Sequence, residues 1–269
     1  PQEIELLRKA PKDRFQFEVG VQTTNDDVLF RINRFVNFSD IKEKVEELMS
    51  IRNIKQHLDL IAGLPGEDLK SFKKSFNDVY SIRPEEIQLG FLKLLRGSSM
   101  REEAHEYEMK YSPYPPYEIL STKDISYDEL NLLKKVEHMV DKYYNSQKFD
   151  NIIKYFEPKF NTPFEMFYSL SRFFDEKGYF NRNIGNNEYY KVFLDFNSKI
   201  IKEDKSRNEE LLTTIESLIE VEDILQRKFQ TSSLYLSNKV NTLDPSCSKV
   251  GQSAAEKIVL YTMLLENSN

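Results

Sequence analysis

Residues 54–67 read IKQHLDLIAGLPGE, and this stretch decides the fold class. Residues 54–62 are predicted to form a β-strand that ends in the turn Gly63-Leu64-Pro65-Gly66. The following segment, 67–82, has apolar residues on one helical face and is predicted to be a helix that Pro84 terminates. A strand, a glycine turn and a helix in this order are typical of a parallel α/β sheet.

The same alternation extends to both sides of this stretch. Further strands are predicted near 15–22 and 86–93, and an amphipathic helix is predicted over 40–51. Strands that alternate with helices at this pace predict parallel βαβ units with right-handed crossovers. Because three parallel strands cannot close a barrel, one sheet edge should expose unpaired backbone unless an upstream segment or a partner covers it.

The second part of the chain is predicted to be helical. Helices are predicted around 130–144 and over 164–177, 188–203, 208–229 and 251–266. The link 111–117 reads YSPYPPY, which is too rich in proline for a helix and favours a rigid connector over a substrate platform. The predicted fold class is therefore α/β then α, with an α/β domain over 1–120 and a mostly helical domain over 121–269.

Composition excludes several functional classes. The net charge of −6 and the lack of a long basic run do not favour nucleic acid as a partner. No apolar run approaches the roughly 18 residues of a membrane span, and no secretory signal is present. The single cysteine, Cys247, excludes a disulfide within the chain, suits a reducing cytoplasm, and cannot alone hold a cysteine-ligated cluster.

Polar residues and turns fall where strands end, which is where a parallel barrel places its active site. The first strand ends in EVGVQT (18–23), the helix after it ends in INR (32–34), and the third strand runs LGFLKL (89–94) before RGS (96–98). With DLIAGLPGE (59–67), these segments in this order resemble the radical SAM (S-adenosylmethionine) superfamily. The resemblance implies the C-terminal half of a parallel (β/α) partial barrel of the TIM-barrel type.

The resemblance assigns candidate residues to S-adenosylmethionine, and none to catalysis or to a metal. Gln22 and Asp59 would approach the ribose hydroxyls, with Glu18 nearby, because carboxylate and amide oxygens accept hydrogen bonds from vicinal hydroxyls. Arg34 would pair with the methionyl carboxylate through its planar fork of donors.

The adenine would be held by apolar contact and by main-chain groups. The resemblance places Ile61 over the adenine ring. It also implies that backbone groups around Ile61 and Leu92 form hydrogen bonds with the edge of that ring.

Each candidate also has a structural interpretation. Asp59 could be a buried structural acid, Arg34 a cation at a helix end, and Gln22 a turn amide. His57 shares a strand face with Asp59 and is better explained as a packed or hydrogen-bonded histidine than as a metal ligand. Lys93 is expected to be a solvent-exposed cation at a strand end, and Cys247 to be incidental.

The chain departs from the superfamily in lacking its CxxxCxxC loop, whose cysteines hold a [4Fe–4S] cluster. Because Gln22 and Asp59 match the fourth and fifth strands of the family barrel, the loop is expected upstream of Pro1. The chain is then a truncated piece of an iron–sulfur oxidoreductase that is inactive alone and needs its N-terminal half-barrel as partner. A cysteine-free homologue is the alternative.

Three further segments resemble one subgroup of the superfamily: QLGFLKLLRG (88–97), YPPYE (114–118) and KYYNS (142–146). In that subgroup a cobalamin-binding domain precedes the barrel and a helical domain of unknown function follows it. The resemblance implies cobalamin-linked methyl transfer by the intact protein on a substrate that the sequence does not identify.

Two other functions stay open. The chain could be a helical binding module attached to a half-barrel stub. It could also be a different α/β enzyme in which Asp59 and His57 act as acid and base.

Overall fold

The computed structural model describes residues 2–203 of the chain. The helices are α1 (Gln2–Leu7), α2 (Asp26–Arg31), α3 (Phe38–Ile51), α4 (Leu69–Ile82), α5 (Ser99–Glu102), α6 (Tyr127–Met139), α7 (Asp150–Phe156), α8 (Pro163–Glu176) and α9 (Asn186–Glu203). The strands are β1 (Gln16–Gln22), β2 (Lys55–Ala62), β3 (Glu86–Phe91), β4 (Lys110–Tyr111) and β5 (Ile119–Ser121). A π-helical segment, Val140–Asn145, directly follows α6. The predicted helices 208–229 and 251–266, and Cys247, lie outside the described residues.

The α/β part contains the predicted parallel sheet. β2 lies between β1 and β3 and pairs in parallel with both, so the three predicted strands are confirmed. The helix predicted over 67–82 begins at Leu69, because Asp68 caps it by accepting a hydrogen bond of 2.7 Å from the Ser71 amide. It ends where Arg83 adopts a left-handed conformation. Barrel closure stays a prediction.

The two faces of the sheet differ in polarity. Leu58, Leu60 and Ala62 are fully buried on the face that carries α3 and α4, because successive side chains of a strand alternate between faces. On the opposite face, Asp59 is half-buried and Glu18 is exposed. The sheet thus has one apolar face within the core and one open face with carboxylates.

The two edges of the sheet also differ. The outer edge of β3 is covered from within the chain, since the Asn145 amide makes two hydrogen bonds of 3.0 Å with the backbone of Ile87. Beyond the end of β3, the Ile119 amide donates to the Leu92 carbonyl over 2.8 Å. No described strand pairs with the outer edge of β1, so the unpaired edge expected from the sequence is the β1 edge.

The link that was predicted to be a proline-rich connector is built as a short hairpin. β4 and β5 pair in antiparallel fashion around residues 112–118. These strands are not predicted from the sequence, because two- and three-residue strands carry too little hydrophobic alternation to be recognised.

The first helices of the second part pack against the α/β part. Phe76 of α4 is fully buried and contacts Phe164 and Phe167 of α8, with ring centroids 5.6 and 5.9 Å apart. The chain divides into two compact units, of which Pro1–Glu176 is the first, and α9 lies in the second. The domain boundary predicted near residue 120 stays a prediction. Among residues 2–203, no helix combines the length and hydropathy that a membrane span requires.

The packing of Phe76 predicts a large loss of stability on truncation. Phe76→Ala should lower the free energy of unfolding by about 4 kcal/mol, because it removes a buried ring and leaves a cavity between α4 and α8. Chemical denaturation measures this change. The matched control is Phe35→Ala, since Phe35 is 75% exposed, and it should change the free energy by less than about 1 kcal/mol. Equal effects of the two substitutions would contradict this packing.

Candidate functional site

The end of β1 carries a bulge that positions Gln22. Gly20 pairs with Asp59 and Gln22 pairs with Leu60, so Val21 is an extra residue on β1. Gln22 has a φ of +71°, and its side chain folds back over Gly20. A Cβ atom on Gly20 would lie 2.4 Å from Gln22 Nε2, so a larger residue at this position would require the end of the Gln22 side chain to move.

The turn that ends α2 directs the Arg34 side chain towards Gly20. Asn33 has a φ of +60°, which asparagine tolerates better than most residues. The Arg34 amide donates to the Leu29 carbonyl over 2.8 Å and the Asn33 amide to the Phe30 carbonyl over 3.0 Å, which is a Schellman motif. The Arg34 side chain then donates from Nη1 to the Gly20 carbonyl. Gln22 and Arg34 therefore converge around Gly20.

Asp59 lies on the central strand, opposite Gly20 in the register. Its Oδ1 atom is buried and has no hydrogen-bond partner among the described residues. Burial raises the pKa of Asp59, the Glu18 carboxylate raises it further, and His57 opposes the shift. A buried carboxylate oxygen without a donor is costly, and Asn53, Gln56 and Glu67 also carry buried oxygens that lack a partner among the described residues.

The two residues assigned to adenine lie further along the sheet. Ile61 is half-buried, on the same face as Asp59, and pairs with Gly90. The Leu92 amide donates to the Ala62 carbonyl over 3.0 Å, and the Leu92 carbonyl accepts from Ile119. The Leu92 amide is therefore already used, and its carbonyl could accept one further hydrogen bond. The assignment of Leu92 to the adenine edge stays a prediction.

The structure therefore brings four of the six candidates to one region. Gln22, Arg34 and Asp59 surround Gly20, and Glu18 precedes them on the same face of β1. Ile61 and Leu92 lie towards the ends of the neighbouring strands. Their roles in binding stay predictions.

Sequence analysis missed Glu67, the buried carboxylate after the GLPG turn. Glu67 is 1% exposed, and its Oε1 atom accepts hydrogen bonds from Thr23 over 2.6 Å and from Ser75 over 3.0 Å. These bonds tie the loop after β1 to α4. Ser71 and Ser75 follow Glu67 at intervals of four residues, which is the spacing of one helical face. This spacing was the signal in the sequence for the contact.

Burial raises the pKa of Glu67 to about 6, although the hydroxyls that donate to its Oε1 atom partly offset this rise. The Oε2 atom is buried and has no partner among the described residues.

His57 is held by neighbours on the adjacent strands. Its ring is buried, and Nδ1 lies 3.2 Å from Glu86 Oε2 and 3.1 Å from Gln16 Nε2. This agrees with the interpretation of His57 as a hydrogen-bonded histidine. Within residues 2–203, no group of three or more His, Cys, Asp and Glu side chains has the arrangement of a metal site.

Comparison with known proteins assigns the family. The family described as "Protein of unknown function (DUF4080)" matches residues 105–257, which is more than half of the chain. The chain belongs to this family. The matched region of this DUF4080 chain begins after β3 and covers the hairpin and the helices that follow.

Curated relatives of the DUF4080 chain match shorter segments. The heme chaperone HemW of Bacillus subtilis (strain 168) is 34% identical over 84 residues, which are 31% of this chain and 22% of that protein. The oxygen-independent coproporphyrinogen-III oxidase-like protein HemZ of the same organism is 28% identical over 110 residues, 40% of this chain and 21% of that protein.

A third relative comes from an archaeon. A probable threonylcarbamoyladenosine tRNA methylthiotransferase of Pyrococcus abyssi (strain GE5 / Orsay) is 31% identical over 70 residues, 26% of this chain and 16% of that protein. The matching segments thus span about a fifth of the curated relatives. The similarity to these three proteins supports the resemblance to the radical SAM superfamily.

The environment of Glu67 predicts a pH dependence of stability. An acid whose pKa rises from 4.5 to about 6 on folding binds more protons in the folded state, so its contribution to stability is lost as the pH rises through this window. Glu67→Gln removes this titration. The stability of the wild type relative to Glu67→Gln should therefore fall by about 2 kcal/mol between pH 4.5 and pH values above 6, measured by urea denaturation.

The matched control is Glu43→Gln, because Glu43 is exposed on α3. It makes the same change of side chain at an exposed position and shows the effect of a Glu→Gln substitution that leaves the buried Glu67 in place. A Glu67→Gln protein whose stability runs parallel to the wild type across the whole range would contradict the burial of an ionisable Glu67.

Proposed function

We propose that this chain belongs to a radical SAM enzyme and forms half of the wall of its S-adenosylmethionine site. We call Gln22, Arg34 and Asp59, with Glu18, the proposed wall. The observation that carries the proposal is the buried Oδ1 atom of Asp59, which has no partner in the described chain and lies opposite Gly20, where Gln22 and Arg34 converge. A ligand that supplies hydroxyl donors and a carboxylate matches this set of groups.

The residues fit the two polar ends of S-adenosylmethionine. The Asp59 carboxylate and the Gln22 amide would hold the ribose hydroxyls. Arg34 uses Nη1 for the Gly20 carbonyl, and the other N–H groups of its guanidinium would hold the methionyl carboxylate. The bulge at Val21 and the left-handed Asn33 fix both side chains before the ligand arrives, which lowers the entropy cost of binding.

The cluster does not fit the residues of this chain. One cysteine in 269 residues cannot supply the three thiolates of the CxxxCxxC loop. When bound, the [4Fe–4S] cluster supplies the electron for reductive cleavage of S-adenosylmethionine. We infer that an upstream segment brings the cysteines and pairs with the free outer edge of β1, and that the chain alone is inactive.

The proposal includes cobalamin only through the subgroup resemblance of 88–97, 114–118 and 142–146. In this form the intact protein is a cobalamin-dependent radical SAM methyltransferase with a helical DUF4080 domain. The activity and the substrate belong to the longer protein, since the chain covers about a fifth of each curated relative.

Ligand binding by the 269-residue chain tests the proposed wall. S-adenosylmethionine should bind with a dissociation constant on the order of 1 mM, because the iron contacts are missing. Asp59→Asn should weaken binding about tenfold, since it removes a charge-assisted hydrogen bond to a ribose hydroxyl. A ligand-observed NMR titration gives both constants.

Asp40→Asn is the matched control, because Asp40 is exposed on α3, and it should bind like the wild type. Loss of binding with Asp59→Asn alone favours the proposed wall. If the wild type and Asp59→Asn bind S-adenosylmethionine equally, or neither binds, the proposed wall is wrong and a binding module becomes the better account.

A further inference from the structure

Two arginines that follow β3 lie over the ring of one tyrosine in the β4–β5 hairpin. The guanidinium carbon of Arg96 lies 5.5 Å from the centre of the Tyr117 ring, and that of Arg101 lies 4.8 Å from it. Arg101 also lies 5.1 Å from the centre of the Tyr111 ring. Stacking on an aromatic face favours a guanidinium and leaves its in-plane N–H donors directed outwards. We call these four residues the arginine–tyrosine cluster.

The backbone fixes this cluster at the end of β3. Gly97 has a φ of +80°, which lets the chain turn directly after Arg96. The Leu94 amide donates to the Tyr117 carbonyl over 2.9 Å, and Arg101 Nη1 donates to the Leu94 carbonyl over 3.1 Å. The hairpin and the loop are thus joined at Leu94, which holds the Tyr117 backbone and the Arg101 guanidinium close together.

The charges of the cluster are not balanced by the described chain. Neither Arg96 nor Arg101 has a carboxylate within ion-pair distance among residues 2–203. Glu118, next to Tyr117 in the chain, is paired with Lys134 instead. The two guanidinium groups on one ring carry like charges that repel each other, so an anion near both would be stabilising.

The cluster follows the end of β3, one of the three strands of the sheet that carries the proposed wall. Leu92, which was assigned to the adenine edge, is four residues before Arg96, and both follow β3 at the edge of the sheet where a parallel barrel gathers its substrates. Tyr114 at the tip of the hairpin is 76% exposed and adds an apolar surface. The cluster is therefore placed to hold a second molecule next to S-adenosylmethionine.

We propose that Arg96 and Arg101, stacked on Tyr117, form the subsite for an anionic group of the substrate, a carboxylate or a phosphate ester. The inference rests on the proposed function for the identity of the bound molecule as a substrate. The anion site itself is tested without S-adenosylmethionine, so its failure is distinguishable from failure of the proposed wall.

The probes are inorganic phosphate and acetate, each titrated into the 269-residue chain at constant ionic strength set with chloride. Two arginine Nε–H signals in ¹⁵N NMR spectra should shift and saturate with one of these anions, with a dissociation constant on the order of 1 mM. Saturation by phosphate identifies a phosphate ester, and saturation by acetate identifies a carboxylate. Arg96→Gln should weaken binding about tenfold, because it removes charge-assisted hydrogen bonds.

Two further variants separate binding from folding. Tyr117→Leu removes the stacking surface and should weaken anion binding, and Tyr117→Phe, which keeps the ring, should bind more tightly than Tyr117→Leu. Arg172→Gln is the matched control, since Arg172 is 64% exposed on α8, and it should bind like the wild type. Circular dichroism melting checks that each variant is folded.

Three results overturn the proposal. The first is no saturable shift with either anion, and the second is equal binding by Arg96→Gln and Arg172→Gln. The third is binding of single-stranded RNA that Arg96→Gln abolishes while neither small anion saturates, because the cluster would then contact a nucleic acid backbone instead of a substrate group.

Discussion

The parallel pairing of β2 with both β1 and β3 is the constraint on which the rest of this structure depends. The register places Gly20 opposite Asp59, and the bulge at Val21 then turns Gln22 over Gly20. The same pairing buries Leu58 and its neighbours beneath α3 and α4 and leaves the Asp59 face open. A shift of one residue in β2 would exchange its two faces and place Asp59 in the core.

Two carboxyl groups near the end of this sheet, those of Glu67 and Asp59, differ in their hydrogen-bond partners. Glu67 receives hydroxyl donors from Thr23 and Ser75, so its Oε1 atom is satisfied within the protein and its role is to join the loop after β1 to α4. Asp59 Oδ1 has no such donor among the described residues. Burial raises the pKa of both groups, and the Oε2 atom of Glu67, like Asp59 Oδ1, is buried without a partner among the described residues. The hydroxyl partners of Glu67 give it a structural role, and the ligand role of Asp59 stays a prediction.

Much of the α/β part could be predicted from the sequence, because hydrophobic alternation and the GLPG turn depend on local physical rules. The convergence of Gln22 and Arg34 on Gly20 could not, since it needs the bulge and the left-handed Asn33. Residues far apart in the chain also escaped prediction. Asn145 bonds to the outer edge of β3, and Arg101 lies over the Tyr117 ring of the hairpin. Neither contact produces a periodic pattern in the sequence. The π-helical segment Val140–Asn145 interrupts a stripe that resembled one continuous helix.

The decisive experiment uses the proposed longer protein, in which the predicted N-terminal half-barrel precedes Pro1. It is purified without oxygen, reconstituted with iron and sulfide, and reduced in the presence of S-adenosylmethionine. The account predicts about four iron atoms per chain and formation of 5′-deoxyadenosine, with Arg34→Ala retaining the iron but losing the product. A longer protein that binds no iron, or an Arg34→Ala protein that forms as much 5′-deoxyadenosine as the wild type, would contradict the account.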